Sequence, residues 1–312
     1  MFCSRLPYHK YNAFLFRRKR VLIEFSAPSV IMHKAMRNWK NILLFFATVF
    51  TTTIAGALMT GAEPSATFAW FISGVPFSAA LMGILGIHEL GHYFASKRHG
   101  VNATLPFFIP FPTIIGTFGA FIKIKDRIPE RRSLFDIGFA GPAAGFVVAL
   151  PLLFVGLFLS DISPASDEMV EGGIGLGSSI LVWCSTKLVF GAIPDGMELW
   201  FHPVAFAAWI GLWVTSINLL PIGQLDGGHI IYSVFGRRAW KIARYCWIAL
   251  LPLGILWPGW LVWAVLIIFV IKIKHPPTTY DWVPLDKRRK IMAYVALAIF
   301  ILTFTPAPFT IL

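Results

Sequence analysis

The sequence predicts an all-α polytopic membrane protein of about seven transmembrane helices, with one small membrane-associated β-hairpin or strand element. Three observations carry that expectation. Hydrophobic residues make up 57% of the 312 positions and charged ones 13%, with a mean hydropathy of +0.71, a balance foreign to soluble domains. The apolar residues gather in runs that approach or reach the length needed to cross a bilayer. The basic residues sit between those runs, so the net charge of +12 points to an anionic membrane surface and not to nucleic acid. Cys3, Cys184 and Cys246 are odd in number and far apart, which excludes a disulfide framework and a CxxC metal site.

Residues 1–40 form a basic N-terminal segment with nine Lys or Arg and one acid, Glu24. Its apolar stretch from Val21 to Ile31 is short and broken by Pro28, so it cannot span. Residues 41–312 read as the membrane domain, with a core at 74–232. The first span is Ile42 to Thr60. The second, about 74–96, ends at Lys97-Arg98. Val101 to Arg132 is rich in Pro and Gly, and Phe121, Lys123 and Lys125 alternate there with Ile122 and Ile124. That alternation, centred on Gly116–Lys125, predicts a half-buried strand or hairpin.

The third span, about 134–159, contains Gly138-Phe-Ala-Gly-Pro-Ala-Ala-Gly145, whose small residues let another helix approach closely. Residues 160–202 are rich in Gly, Ser and acids, with one short interfacial helix around Ile180 to Phe190. The fourth span, about 203–220, runs into Asn218-Leu-Leu-Pro-Ile-Gly-Gln-Leu-Asp-Gly-Gly-His229, where Pro221 and the glycines at 223, 227 and 228 are expected to break the helix. Basic clusters flank both ends of Tyr245 to Ile273. Two short spans turning at Pro258-Gly259 keep those clusters on one side. The seventh span is about 291–307.

With seven spans, 26 of the 27 Lys and Arg fall on one side, Lys187 being the exception. Glu63, Asp161, Asp167, Glu168, Glu171, Asp195 and Glu198 fall on the other. The expectation is a multi-pass protein of a bacterial inner or plasma membrane, with its N-terminus and active-site side cytoplasmic.

The chemistry is concentrated in His88-Glu89-Leu90-Gly91-His92, inside an otherwise apolar run. Residues four apart share a helix face, so His88 and His92 can reach a single metal ion, with Glu89 beside it to handle a water. Ionisable groups in a span are costly and mark function. Zinc in a hydrolytic site needs a third protein ligand and one open position. Asp226, at the broken helix, is the leading candidate; the alternative is that it only caps a turn. His229 and Cys246 are the competitors nearest in sequence. Asn218 either donates a hydrogen bond to a developing oxyanion or makes an interhelical polar contact. Asp136 is expected to bond backbone in a turn at 133–138.

Three blocks carry a family resemblance: His88-Glu-Leu-Gly-His92, Gly138–Gly145 and Asn218–Gly228. In order and spacing they resemble the site-2 proteases, intramembrane zinc metalloproteases. The resemblance implies one Zn2+ per chain on His88, His92 and Asp226, Glu89 as general base, and Asn218 steadying the tetrahedral intermediate. It implies substrates that are transmembrane proteins cut within or near their spans, with the lipid bilayer as the other partner and no role for nucleic acid. The Gly116–Lys125 strand looks like the family's membrane-embedded β segment, where an unwound substrate can pair by β-addition. No PDZ-like insertion follows the third span and no CBS pair closes the sequence, so regulation by those modules is not expected. The rival class is a metal-ion transporter or permease with a His/Asp site at a broken helix. Glu89 separates the two, since a hydrolase needs a base that is not a ligand and a transporter does not.

Overall fold

A computed structural model describes residues 28–60, 67–164 and 174–311. The predicted basic segment therefore lies outside the described residues as far as residue 27, as do Glu63, Asp167, Glu168 and Glu171. The chain divides into two compact units, Met1–Trp39 and Lys40–Leu312. The described part of the first is helical from Pro28 onward.

Helices form at each predicted segment. They are α1 (Pro28–Leu58), α2 (Phe68–Ser73), α3 (Val75–Arg98), α4 (Arg131–Phe158), α5 (Ile180–Phe190), α6 (Pro203–Asn218), α7 (Asp226–Phe235), α8 (Ala239–Leu253), α9 (Gly259–Leu266) and α10 (Lys287–Thr303). A π-helical turn, Ile267–Ile271, continues α9. Among the described residues, two helical stretches are long and apolar enough to cross a membrane, Asn38–Leu58 and Arg131–Phe158. The seven-span count thus exceeds what length and composition support. Glu89, the two histidines and the terminal Lys97-Arg98 dilute α3, and α6 and α9 are short.

Local chemistry explains the boundaries. Pro76 sits in the first turn of α3, where its missing N–H costs nothing, and Lys97 and Arg98 in the last turn complement the helix dipole. Ser179 caps α5 by accepting from the Val182 N–H, and His202 caps α6 by accepting from that of Val204. The break between α6 and α7 falls at 219–225, around Pro221 as predicted. Gly227 and Gly228 do not break anything: they lie in the first turn of α7. A Cβ on either would collide with backbone oxygens of Leu219, Leu220, Ile222 or Gly223, so glycine serves close backbone approach there.

The main core packs α3, α4 and α6 against one another through Phe77, Leu81, Ile84, Leu153, Leu157 and Trp209. A second cluster of Ile217, Leu220, Ile222, Leu250, Trp260 and Ile267 holds the broken segment from the other side. Elsewhere large apolar side chains face outward. On α10, Ile291, Tyr294, Val295, Leu297 and Ile301 are all exposed, and Phe269 at the end of α9 is 77% exposed. So much uncovered apolar area on a soluble monomer would drive aggregation.

Three antiparallel pairs complete the fold. The predicted hairpin is β1 (Phe107–Pro110) with β2 (Thr117–Phe121), irregular between Phe108 and Pro110. The strand stops at Phe121, short of the predicted Lys125. Beyond it only Ile124 continues the pairing, as an isolated bridge to Ala103. The other two pairs were not anticipated. They are β3 (Asp161–Pro164) with β5 (Met197–Trp200), and β4 (Ile174–Leu176) with β6 (Phe309–Ile311). Residues 133–138 are helical, not a turn. Asp136 there accepts from Arg289 Nε at 2.7 Å and Nη2 at 2.5 Å and pairs with His99 at 2.8 Å, so it bridges α3, α4 and α10.

Candidate metal centre

Three elements converge on one buried point. α3 supplies His88 and His92 one turn apart, 4% and 7% exposed. The break after α6 lets α7 begin at Asp226, whose carboxylate turns toward them. Nε2 of His88 and of His92 lie 3.1 Å apart, and Asp226 Oδ2 is 3.3 Å from each. Among the described residues these three form the one group of His, Cys, Asp or Glu able to hold a metal ion.

The triangle is the right size. Donors bonded at 2.0–2.1 Å to a tetrahedral zinc are separated by about 3.4 Å. The chemistry fits as well, with two imidazoles and one carboxylate. His92 Nδ1 is bonded to the Ile137 carbonyl oxygen at 2.7 Å, which as an acceptor requires Nδ1–H and leaves the Nε2 lone pair for a cation.

The glycines of α4 form the floor. A Cβ at Gly141 would fall on the His92 ring, one at Gly145 would lie 3.1 Å from His88 Nδ1, and one at Gly138 would crowd His229 Cβ at 2.7 Å. Gly91 in turn meets the Ala140 carbonyl. The small residues were read from sequence as a helix–helix contact. Their spacing also matches the ligand turn on α3, and that match was the signal available for a cradle.

Glu89 is buried beside the triangle but is not a corner of it. Its carboxylate lies near the backbone of Ile122, just past β2, so the hairpin runs close to this residue. Asn218, the last residue of α6, places Nδ2 3.4 Å from His88 Nε2, at the rim. His229 stands apart. His275 Nδ1 donates to the Pro276 carbonyl at 2.5 Å, so its Nε2 accepts from His229 Nδ1 at 2.7 Å. Burial pushes His275 down to about 4, which keeps that acceptor neutral. Cys246 packs in the second apolar cluster, away from the triangle.

With this geometry in hand, the comparison with known proteins is decisive. The chain matches peptidase family M50 over residues 76–251, more than half its length and every residue of the triangle. It belongs to that family, the site-2 proteases. It is 33% identical over 239 residues to the probable zinc metalloprotease EGY1, chloroplastic, of Arabidopsis thaliana, covering 75% of this chain and 43% of that protein. Against the Arabidopsis EGY2 it is 34% identical over 241 residues, 76% of this chain and 42% of the relative. Against the EGY1 of Oryza sativa subsp. japonica it is 32% identical over 237 residues, 75% and 41%. The M50 chain thus spans less than half the length of these relatives.

Proposed function

We propose that this M50 protein is a zinc metallopeptidase that cuts peptide bonds within or near the transmembrane segments of membrane-protein substrates. The observation that carries the reading is the convergence of His88, His92 and Asp226 beside Glu89, a buried acid outside the donor set. His88, His92 and Asp226 would hold one zinc ion. When bound, zinc supplies Lewis-acid polarisation and lowers the pKa of a water toward neutrality. Glu89 accepts the proton of the attacking water and returns it to the leaving amine. Asn218 donates through Nδ2 to the oxyanion of the tetrahedral intermediate. The Ile137 carbonyl keeps His92 in one orientation throughout, by the bond described above. A helical substrate must unwind to expose its scissile bond, and the β1–β2 hairpin, which runs close to Glu89, offers a strand edge to receive it.

Of the ten described helices, α1, α3, α4, α6, α8, α9 and α10 are read as the seven spans, the short ones completed by their flanking residues. The exposed apolar faces of α9 and α10 support that reading. The basic residues and the zinc site face the same side, which is the cytoplasm if the membrane is a bacterial plasma membrane. Residues 41–312 form the membrane peptidase domain and 1–40 a basic extension. The test is Glu89→Gln in detergent-purified protein with a substrate carrying a transmembrane segment. Zinc content should stay at one per chain while cleavage is abolished. Near-normal cleavage by the variant removes Glu89 as base and with it the mechanism.

A further inference from the structure

A cavity of about 710 Å³ lies between α3, α4 and α10, lined in part by Gly91, Arg98, Asp136, Arg288, Arg289 and Met292. Its lining is graded in the same direction on all three helices. On α3 the apolar Phe94 and Ala95 precede Arg98 and His99. On α4, Asp136 precedes Phe139 and Ala140. On α10, Asp286, Arg288 and Arg289 precede Met292. One end is therefore charged and the other, one helical turn away, is apolar. Phe94 at that apolar end is 63% exposed.

The charges at the polar end do not cancel. Asp136 and Asp286 are both bonded to Arg289, and Asp136 also to His99, so these groups are committed to one another. Arg98 and Arg288 are exposed and engage neither acid. Two free guanidinium groups over an apolar slot suit a single ligand class, an amphiphile with an anionic head. We propose that this cavity binds one anionic glycerophospholipid, its phosphate held by Arg98 and Arg288 and an acyl chain laid along Phe94, Ala95, Phe139 and Met292. The inference rests on the reading that these helices sit in a bilayer and is independent of the proteolytic chemistry. Because Gly91 lines the slot and also touches Ala140, an occupied slot braces the α3–α4 contact behind the histidine cradle.

The experiment is native mass spectrometry of the detergent-purified full chain, titrated separately with phosphatidylglycerol, phosphatidylcholine and inorganic phosphate. Wild type should retain one phosphatidylglycerol per chain and bind it far more tightly than phosphatidylcholine. Arg98→Ala/Arg288→Ala should weaken phosphatidylglycerol by about thirtyfold, at the strength usual for two basic residues facing an anionic head. Ala95→Trp keeps every charge but fills the slot, and should lose the lipid as fully. Lys241→Ala/Arg244→Ala removes the same charge elsewhere and should bind as wild type. Zinc content serves as the check of fold in each variant. Equal binding in the double arginine variant, equal loss in the Lys241/Arg244 control, retention by Ala95→Trp, or inorganic phosphate competing as well as the lipid would each overturn the site. Release of the wild-type chain from membranes by alkaline carbonate would instead overturn the bilayer reading beneath it.

Discussion

Gly141→Ala should unseat a metal ligand without touching it. The methyl group would be built onto the His92 imidazole, with Nε2 as the nearest atom. Ordinary carbon contacts need about 3.5 Å, so the ring must retreat by more than about 1 Å or the α4 backbone must yield. Metal bonds tolerate about 0.2 Å, far less than that displacement. The ring cannot simply slide, because Nδ1 is held by Ile137 O at 2.7 Å on the same helix that carries the methyl. Overpacking of this kind costs about 1–3 kcal/mol, and the helix-propensity gain of Gly→Ala returns up to about 1 kcal/mol. The fold should therefore survive while zinc affinity falls by about 100-fold or more, at or past the upper end for a disturbed ligand support. Gly145→Ala is the graded comparison. Its methyl would sit 3.1 Å from His88 Nδ1, a shift of a few tenths of an ångström, so its loss should be about tenfold or less. Gly83→Ala on α3 meets nothing within 4 Å and should leave zinc unchanged. Zinc affinity is read by competition with a chromogenic chelator, with thermal unfolding alongside. Wild-type affinity in folded Gly141→Ala, or a larger loss in Gly145→Ala, refutes the cradle.

The third ligand separates in the same assay. Asp226→Asn should lose most bound zinc by elemental analysis while His229→Ala keeps it, since His229 Nδ1 is committed to His275; the reverse pattern moves the ligand to His229. Topology is checked by fusions: reporters near Lys97 and after Arg238 should report the same side and one in 165–175 the opposite side, and agreement of all three would break the span assignment. Asp281, in the loop before α10, gives a pH test. Burial pushes its carboxyl up, but hydrogen bonds from Arg131, Tyr232 and Thr278 outweigh that and hold it below the ordinary value. A carboxylate depressed in the folded state stabilises above its unfolded pKa of about 3.9, and the contribution fades as pH falls below that. Asp281→Asn should thus lower thermal stability by about 1 kcal/mol at neutral pH, with the gap to wild type closing below about pH 4. A gap that stays constant down to pH 3 would mean the carboxylate charge is not what holds the loop.

What the sequence made legible was whatever is encoded within one helix or at one break. His88 and His92 are four apart, so their shared face follows from helical period alone, and Pro221 dictates where α6 must stop. What it hid depends on partners far along the chain. β4 pairs with β6 across more than 130 residues, and each strand has only three residues, too few to show alternation. Asp136 reads locally as a turn former because its partner, Arg289, lies 153 residues away. Gly227 and Gly228 look like helix breakers in any local reading. Only the nearness of the Leu219 and Gly223 carbonyls shows that they are there for close approach.

That last misreading bears on how the third ligand is held. The two histidines are spaced by a single helix and need no outside help to stay in register. Asp226 has no such support, because it begins a new helix after seven non-helical residues. Its position is instead set by backbone against backbone. Gly227 sits on the carbonyls of Leu219 and Leu220, Gly228 on those of Ile222 and Gly223, and Gly223, at φ +56, on that of Lys272. Contacts of this kind have no side-chain rotamers to relax into, so they are stiff in a way that packed leucines are not. Lys272 itself takes a φ of +64, a conformation that costs a non-glycine residue energy and persists only where its surroundings enforce it. The loop beyond α9 is thus part of what positions the Asp226 carboxylate, although it contributes no atom to the metal centre. A donor triangle with edges of 3.1–3.3 Å, delivered by elements 130 residues apart, requires that kind of rigid backbone seat.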